Sequence, residues 1–393
     1  MISRQLFKLY LVVSFALLAM GVQAEARLMP APPQLAAEGY LLMDADTGEI
    51  LVEHNSRQRL PPASLTKIMT SYIVAEEIDH GTLSPDEEID ISVKAWRTEG
   101  SRMFIQEGTR VKVSDLMSGV IIQSGNDASV ALAEHIAGSE EMFAGEMNLQ
   151  AQRLGMLDSH FMNATGLPSE EHYTTANDLA LLTVSLIRDH PRHYSLYSEK
   201  YFTYNDIRQP NRNTLLWRDK SVDGVKTGHT EAAGYCLVAS AKRDNMRLVS
   251  VVMGTSSEEA RATESQKLLT YGFRYYETLH LYRAQESLNE VRVWGGEKSK
   301  LQLGLADDVS VTIPRGSKDS LSATMDIDSV INAPIKAGQP LGMLTVSLDD
   351  GTLYEAPLVA LSAIGEAGFF QTLWDTVSLF FLQLLGGDPL KPV

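Results

Sequence analysis

Helical and strand periodicities follow one another along this chain in a definite order. Between Tyr40 and Glu53, Leu42, Met43, Ile50 and Val52 flank Asp46-Thr47-Gly48, which reads as a β-hairpin. Apolar residues then recur at helical steps over 63–79, 114–122, 126–137, 141–153 and 175–188. Thr175, with Asp178 three residues on, caps the start of the last of these. Two short apolar runs, Gly234 to Ala241 and Arg247 to Gly254, are joined by Lys242-Arg243-Asp244-Asn245 and predict adjacent antiparallel strands. A helix over about 257–279 is expected to pack after them.

From about residue 283 the texture changes. Val291 and Val293, then Leu301, Leu303 and Leu305, then Val309, Val311 and Ile313, and finally Leu344, Val346 and Leu348 alternate with polar neighbours. Turn clusters such as Asp349-Asp350-Gly351 separate the runs, so a small all-β domain is predicted. The expected order is an α/β domain over 27–281, a β domain over 283–363 and a helix over 366–385. In that last stretch Phe369, Phe370, Leu373, Trp374, Val377, Phe380, Phe381, Leu384 and Leu385 form one broad apolar face. Gln371, Asp375 and Gln383 make it a poor spanning helix, and it suits the headgroup boundary of a membrane better. Against that, its polar face carries no Lys or Arg to attract anionic lipid.

The other end has a different character. Arg4 and Lys8 precede an apolar run from Leu9 to Val22, and Val22-Gln23-Ala24 offers small residues for cleavage, so 1–24 reads as a secretory signal peptide. Its removal takes two positive charges from a chain whose net charge is −16, leaving −18. That balance argues against binding nucleic acid through phosphates. The single cysteine, Cys236, excludes an internal disulfide and a cysteine zinc cage, and its apolar setting suggests a thiol tucked into a strand. At 44% apolar and 21% charged residues, the chain as a whole has a soluble globular composition.

The candidate chemistry begins at Ser64-Leu65-Thr66-Lys67, which follows Pro61-Pro62-Ala63 at the start of the first helical pattern. Residues three apart share a helix face, so Ser64 and Lys67 project together. A serine hydroxyl is a weak nucleophile and needs a base. Lysine serves only if burial or nearby cations destabilise its ammonium form. Such a spacing arises by chance about once in a chain of this length, and alone it reads equally as a solvated serine and lysine. Ser124-Gly125-Asn126, fifty-seven residues after Lys67, lies in a turn between two helical patterns. Lys226-Thr227-Gly228 stands at the start of a strand read as running on through Tyr235 and Leu237. Singly these are a cap and a surface turn; in this order the three elements match the signature shared by penicillin-binding proteins and class A β-lactamases.

The chain resembles the serine-type D-Ala-D-Ala carboxypeptidases, the low-molecular-mass penicillin-binding proteins, from about residue 35 to the tail. Pro62-Ala63-Ser64-Leu65-Thr66-Lys67-Ile68-Met69-Thr70, Gln123-Ser124-Gly125-Asn126-Asp127-Ala128, His160-Phe161-Met162-Asn163, Gln209-Pro210-Asn211-Arg212-Asn213 and Val222-Asp223-Gly224-Val225-Lys226-Thr227-Gly228-His229-Thr230 carry the likeness. It implies a β-lactamase/transpeptidase-like antiparallel sheet flanked by helices. It implies a peptidoglycan stem pentapeptide as substrate, with Ser64 attacking the penultimate D-Ala carbonyl and Lys67 taking the proton. The backbone N–H groups of Ser64 and His229 would form the oxyanion hole. Ser124 would relay a proton to the leaving amine, with Lys226 keeping the network cationic. Asn126 would bond Lys67 or the substrate amide, and Thr227, Gly228 and Lys226 would line the carboxylate end, with Arg212 as a guanidinium fork. β-Lactams would acylate Ser64. With the leader and the apolar tail face, a periplasmic protein held on the inner membrane by its tail is expected; the sequence does not reveal what the β domain does, and a spacer lifting the catalytic domain off the membrane is a hypothesis.

Two other readings differ from this one. A class A β-lactamase has Ser-Asp-Asn where Ser124-Gly125-Asn126 stands, and a glutamate for deacylation; the stretch Leu157-Asp158-Ser159-His160-Phe161-Met162-Asn163 has no suitably spaced glutamate. A non-catalytic wall sensor would keep the acylation site as a trap, yet all three motifs are intact. Metal chemistry and a cofactor are not implied, for His160, His172 and His229 sit in no His-Glu-x-x-His pattern. His160 and His172 read as hydrogen-bonded structural residues.

Overall fold

The computed structural model describes residues 29–349 and 351–391, so the leader read at 1–24 lies outside the described residues. Strands β1 (Gly39–Asp44), β2 (Ile50–His54), β3 (Val222–Thr230), β4 (Gly234–Arg243) and β5 (Met246–Thr255) form an antiparallel sheet in the order β2-β1-β5-β4-β3. The alternation along β5 shows why the sheet is covered twice. Val249, Val251 and Met253 enter the core beneath a helical lobe, whereas Met246, Leu248 and Val252 enter a second core on the opposite face.

The helical lobe contains α1 (Lys67–Asp79), α2 (Asn126–Ala137), α3 (Glu140–Arg153) and α4 (Ala176–Asp189). Ile68, Met69, Tyr72, Ile73 and Val74 are all buried, so α1 is a central helix covered on most sides. Thr175 caps α4 by accepting the Asp178 N–H at 3.1 Å. Helix α5 (Glu258–Tyr275) covers the other sheet face, where Leu268 and Leu269 join the second core. The thiol of Cys236 is fully buried in β4, as its apolar setting suggested.

Two expectations fail here. The strand through Lys226 does not run on to Tyr235: Thr230 Oγ accepts the Ala233 N–H at 3.1 Å, Gly234 takes φ +61°, and the chain reverses. Lys226 to Gly228 therefore lie on edge strand β3, and Tyr235 and Leu237 lie opposite His229 and Thr227 on β4. The last helix also ends at Tyr275 rather than near 279. Arg315 donates to the carbonyls of Phe273 at 3.1 Å and Tyr276 at 3.0 Å, capping the helix end, and the alternating run β6 (Tyr276–Tyr282) continues as a strand.

In the C-terminal region β7 (Asn289–Arg292), β8 (Lys300–Gly304), β9 (Val309–Pro314), β10 (Leu321–Ile327), β11 (Pro340–Leu348) and β12 (Gly351–Ala360) complete the all-β part. Five make a sheet in the order β7-β8-β12-β11-β10, and β9 pairs with β6. The buried carboxylate of Asp44 at the end of β1 ties the two parts together by accepting from Thr278 Oγ at 2.5 Å and Thr312 Oγ at 2.7 Å.

Helix α6 (Phe369–Leu384) docks by its polar side. Asp375 is buried, accepting the Gly295 N–H at 3.0 Å and lying 3.5 Å from Arg292, while Gln371 donates to Gly296 O at 3.2 Å. Trp294 Nε1 donates to Pro389 O at 3.0 Å just beyond the helix. The apolar side faces outward. Among the described residues no helix is long and apolar enough to cross a membrane.

Candidate active site

Ala63–Thr66 forms a single 3₁₀ turn that leads directly into α1. Ala63 takes φ +46°, a left-handed backbone that costs an alanine about 1 kcal/mol or more. The 163–167 turn closes onto this bend. A Cβ on Gly166 would lie 1.7 Å from Ala63 O, so glycine is required for that approach. Asn163 Oδ1 holds the turn by accepting from the N–H groups of Thr165 at 3.1 Å and Gly166 at 2.8 Å.

The turn puts a carbonyl against the Lys67 amine. Lys67 Nζ, on a residue with no exposed surface, lies 3.1 Å from Ser64 Oγ, 2.7 Å from Asn126 Oδ1 and 2.6 Å from Thr165 O. Two of these neighbours only accept at the atom concerned, whereas the hydroxyl can donate. A neutral amine has two hydrogens and one lone pair, so it can satisfy both acceptors while receiving the Ser64 proton. Burial first, and the Arg212 charge second, lower its pKa to about 7, with Asp127 and Glu140 pulling the other way. The geometry and the charge balance both favour an amine that can accept a proton near neutrality.

Ser124 is the left-handed residue, φ +66°, that ends a π turn over Gly119–Gln123 before α2 begins. Its hydroxyl is buried and has no hydrogen-bond partner among the described residues. Two residues on, Asn126 spans the cleft, accepting from Lys67 and donating Nδ2–H to Glu99 O at 2.6 Å. Asp127 fixes the turn from behind: its carboxylate accepts the N–H groups of Met103, Phe104 and Ala128 at 2.9–3.0 Å.

Strand β3 supplies the facing wall because it is the sheet edge. Lys226 is 3% exposed, and among the described residues its Nζ reaches only the Thr227 carbonyl, at 3.1 Å. Burial, with the charges of Lys67, Arg212 and Arg261, pushes its pKa well below the ordinary lysine value. Gly228 passes under the helix start, where a Cβ would lie 3.0 Å from Pro62 O. The exposed ring of His229 stacks on Tyr235 with centroids 3.9 Å apart. Arg212 is exposed between two buried asparagines: Asn211 Nδ2 donates to Glu199 O at 3.0 Å and Asn213 Nδ2 to Gly224 O at 2.9 Å. Its guanidinium carries no ion pair among the described residues and adds to the field on both lysines.

The structure thus brings Ser64, Lys67 and Asn126 into direct contact and sets Lys226, Thr227 and Gly228 along the adjacent strand. Thr165 O, the Asn163 turn and Asp127 escaped the sequence reading as site-building groups, although Asn163 and Asp127 lie inside quoted motifs. His172 behaves as a structural residue: its Nε2 lies 3.0 Å from Thr66 Oγ, and burial pushes its pKa down to about 4. Among the described residues no group of three His, Cys, Asp or Glu side chains is placed to hold a metal ion.

A helix-start serine paired with a buried lysine, a Ser-x-Asn turn and a Lys-Thr-Gly edge strand define an acyl-transferring serine protein. The chain belongs to the D-alanyl-D-alanine carboxypeptidase family, peptidase family S11, whose model matches residues 26–257. The penicillin-binding protein 5 C-terminal domain family matches residues 276–366. The D-alanyl-D-alanine carboxypeptidase DacC of Escherichia coli is 43% identical over 362 residues, covering 90% of each chain. The crystal structure of penicillin-binding protein 5 from Haemophilus influenzae superposes with a TM-score of 0.83 at 43% identity, over 86% of this chain and all of that one. A more distant neighbour is penicillin-binding protein D2 from Listeria monocytogenes in its ampicillin-bound form, with a TM-score of 0.58 and 33% identity over 62% of this chain and all of that one.

Proposed function

We propose that the chain removes the terminal D-alanine from peptidoglycan stem pentapeptides through an acyl-enzyme on Ser64. The observation that carries this reading is the Ser64–Lys67 contact at 3.1 Å, with the amine's other two partners able only to accept. Ser64 Oγ attacks the penultimate D-Ala carbonyl as its proton passes to the Lys67 lone pair. The N–H groups of Ser64 and His229 receive the oxyanion; one such donor typically contributes about 3 kcal/mol to lowering the barrier. Ser124 carries a proton to the departing amine, and its unpartnered hydroxyl supports that role. Water, activated by the same amine, then frees the shortened peptide. The terminal carboxylate is drawn to Lys226, Thr227 and Arg212, where no carboxylate is in contact among the described residues. β-Lactams acylate Ser64 by the same attack.

The protein works at the periplasmic face of the inner membrane, held there by α6. What supports this is the outward apolar side of that helix, with Phe370 84% and Trp374 73% exposed. Because the polar side is engaged by the β domain, the helix has no need of lysines there to meet lipid headgroups. The experiment is D-alanine release from diacetyl-Lys-D-Ala-D-Ala by the wild type and by Ser64→Ala. Release by the wild type, falling at least about 10⁴-fold in the variant, is expected; equal release by both would overturn the reading.

A further inference from the structure

The cleft has ends of opposite charge. Lys226, Gly228 and Thr230 succeed one another along one edge strand, and at about 3.3 Å per residue the first and last lie roughly 13 Å apart. The exposed guanidinium of Arg212 and the amine of Lys226, each of which acts on the other's charge, make this the basic end of the cleft. The helix start that carries Ser64 crosses at the second, since a Cβ on Gly228 would lie 3.2 Å from Ala63 Cβ. At the third a cavity of about 340 Å³ opens, bordered by Ala63, Leu167, Pro168, His172 and Thr230, with Glu170 in its lining. Glu170 is exposed and has no hydrogen-bond or ion-pair partner among the described residues.

A peptide cut at Ser64 with its carboxylate at the cation end must leave, on its amino-terminal side, past Thr230 into this cavity. The prolyl, leucyl and alanyl walls suit the methylenes of a long unbranched side chain, and Glu170 suits a cation at its tip. The volume lies within the usual range of about 300–1,000 Å³ for small-molecule sites. Resting on the carboxypeptidase reading above, we infer that this cavity takes the side chain of the residue preceding D-Ala-D-Ala, and that Glu170 selects one ending in a free amine. The two ends of the cleft then complement a substrate that is anionic at its terminus and cationic at its third residue.

The test compares kcat/KM for D-alanine release from two Nα-acetylated peptides, one with a free lysine side chain and one with Nε-acetyl-lysine before D-Ala-D-Ala. The wild type is expected to favour the free amine about three- to fivefold at low salt, the range of an exposed ion pair, and less at 1 M salt. In Glu170→Gln the ratio should fall to about one. An unchanged ratio in the variant overturns the inference. So does an equal loss on both peptides with acyl-enzyme accumulating, which would assign Glu170 to the deacylating water instead. No D-alanine from any peptide with the wild type would overturn the carboxypeptidase reading, and this inference with it.

Discussion

In the cleft Lys67 and Lys226 are sealed from water with no carboxylate in contact among the described residues; on α6 Phe370, Trp374 and Leu384 stand open to it. Each region inverts the ordinary sorting of polar and apolar groups, and in opposite senses. The treatment of buried charge differs as well. Asp375 on the underside of α6 is met by a backbone N–H and by Arg292, as a structural carboxylate should be. The lysines in the cleft are surrounded by neutral acceptors and other cations, surroundings that disfavour the charged form of the amine rather than hold it. The contrast separates polar burial that builds structure from polar burial that does chemistry.

Replacing the cleft amine should give the largest effect. Lys67→Met is expected to lower kcat/KM for D-alanine release by about 10³-fold, the contribution of a positioned base. Its melting temperature should change little, because the cost of burying the amine is removed while Asn126 Oδ1 and Thr165 O lose their donor. A lower melting temperature would mean that the amine contributes to stability after all and would blur the comparison.

Next comes the exposed helix face. Phe370→Ser with Trp374→Ser and Phe381→Ser should reduce partition onto phospholipid vesicles at least about 100-fold, since each buried ring contributes about 1.5–3 kcal/mol. D-alanine release in solution should not change. Undiminished vesicle binding would show that the outward face does not meet lipid.

A smaller effect concerns His172, whose pKa of about 4 lies below the unperturbed value near 6.5. The unfolded chain binds the proton first, so stability should fall as pH drops from about 6.5 to 4, by up to about 3 kcal/mol. Unfolding midpoints in urea across that window would show the slope in the wild type and its reduction in His172→Gln. Equal slopes would remove His172 from the acid response.

How much of this was legible from sequence depends on how far apart the interacting groups lie. Ser64 and Lys67 could be paired because three residues on a helix put them together, and Asn126 because a glycine turn and a helix start frame it. The Thr165 carbonyl could not: it is backbone, and the closeness that brings it to Lys67 depends on Gly166 meeting Ala63 across the fold. Lys226 was recognised as a motif but set on the wrong strand, because Glu231-Ala232-Ala233 carries only a weak turn signal before Gly234. The run after Tyr275 follows the helix with no glycine or proline to mark its end, and Arg315 and the pairing with β9 fix where the helix gives way to a strand. The polar side of α6 has no lysine, and sequence could not show what it meets: Asp375 and Gln371 bond the backbone at Gly295 and Gly296 across the fold.

The central claim is that Lys67 is a neutral base held beside Ser64. The most direct measurement is the pH dependence of the second-order rate at which a fluorescent penicillin acylates the wild-type protein. Since the amine is free above its pKa, the rate should climb as pH rises and reach half its plateau near 7. A rate flat from pH 5 to 9, or one that begins to climb only around the ordinary lysine value of about 10.4, would contradict it.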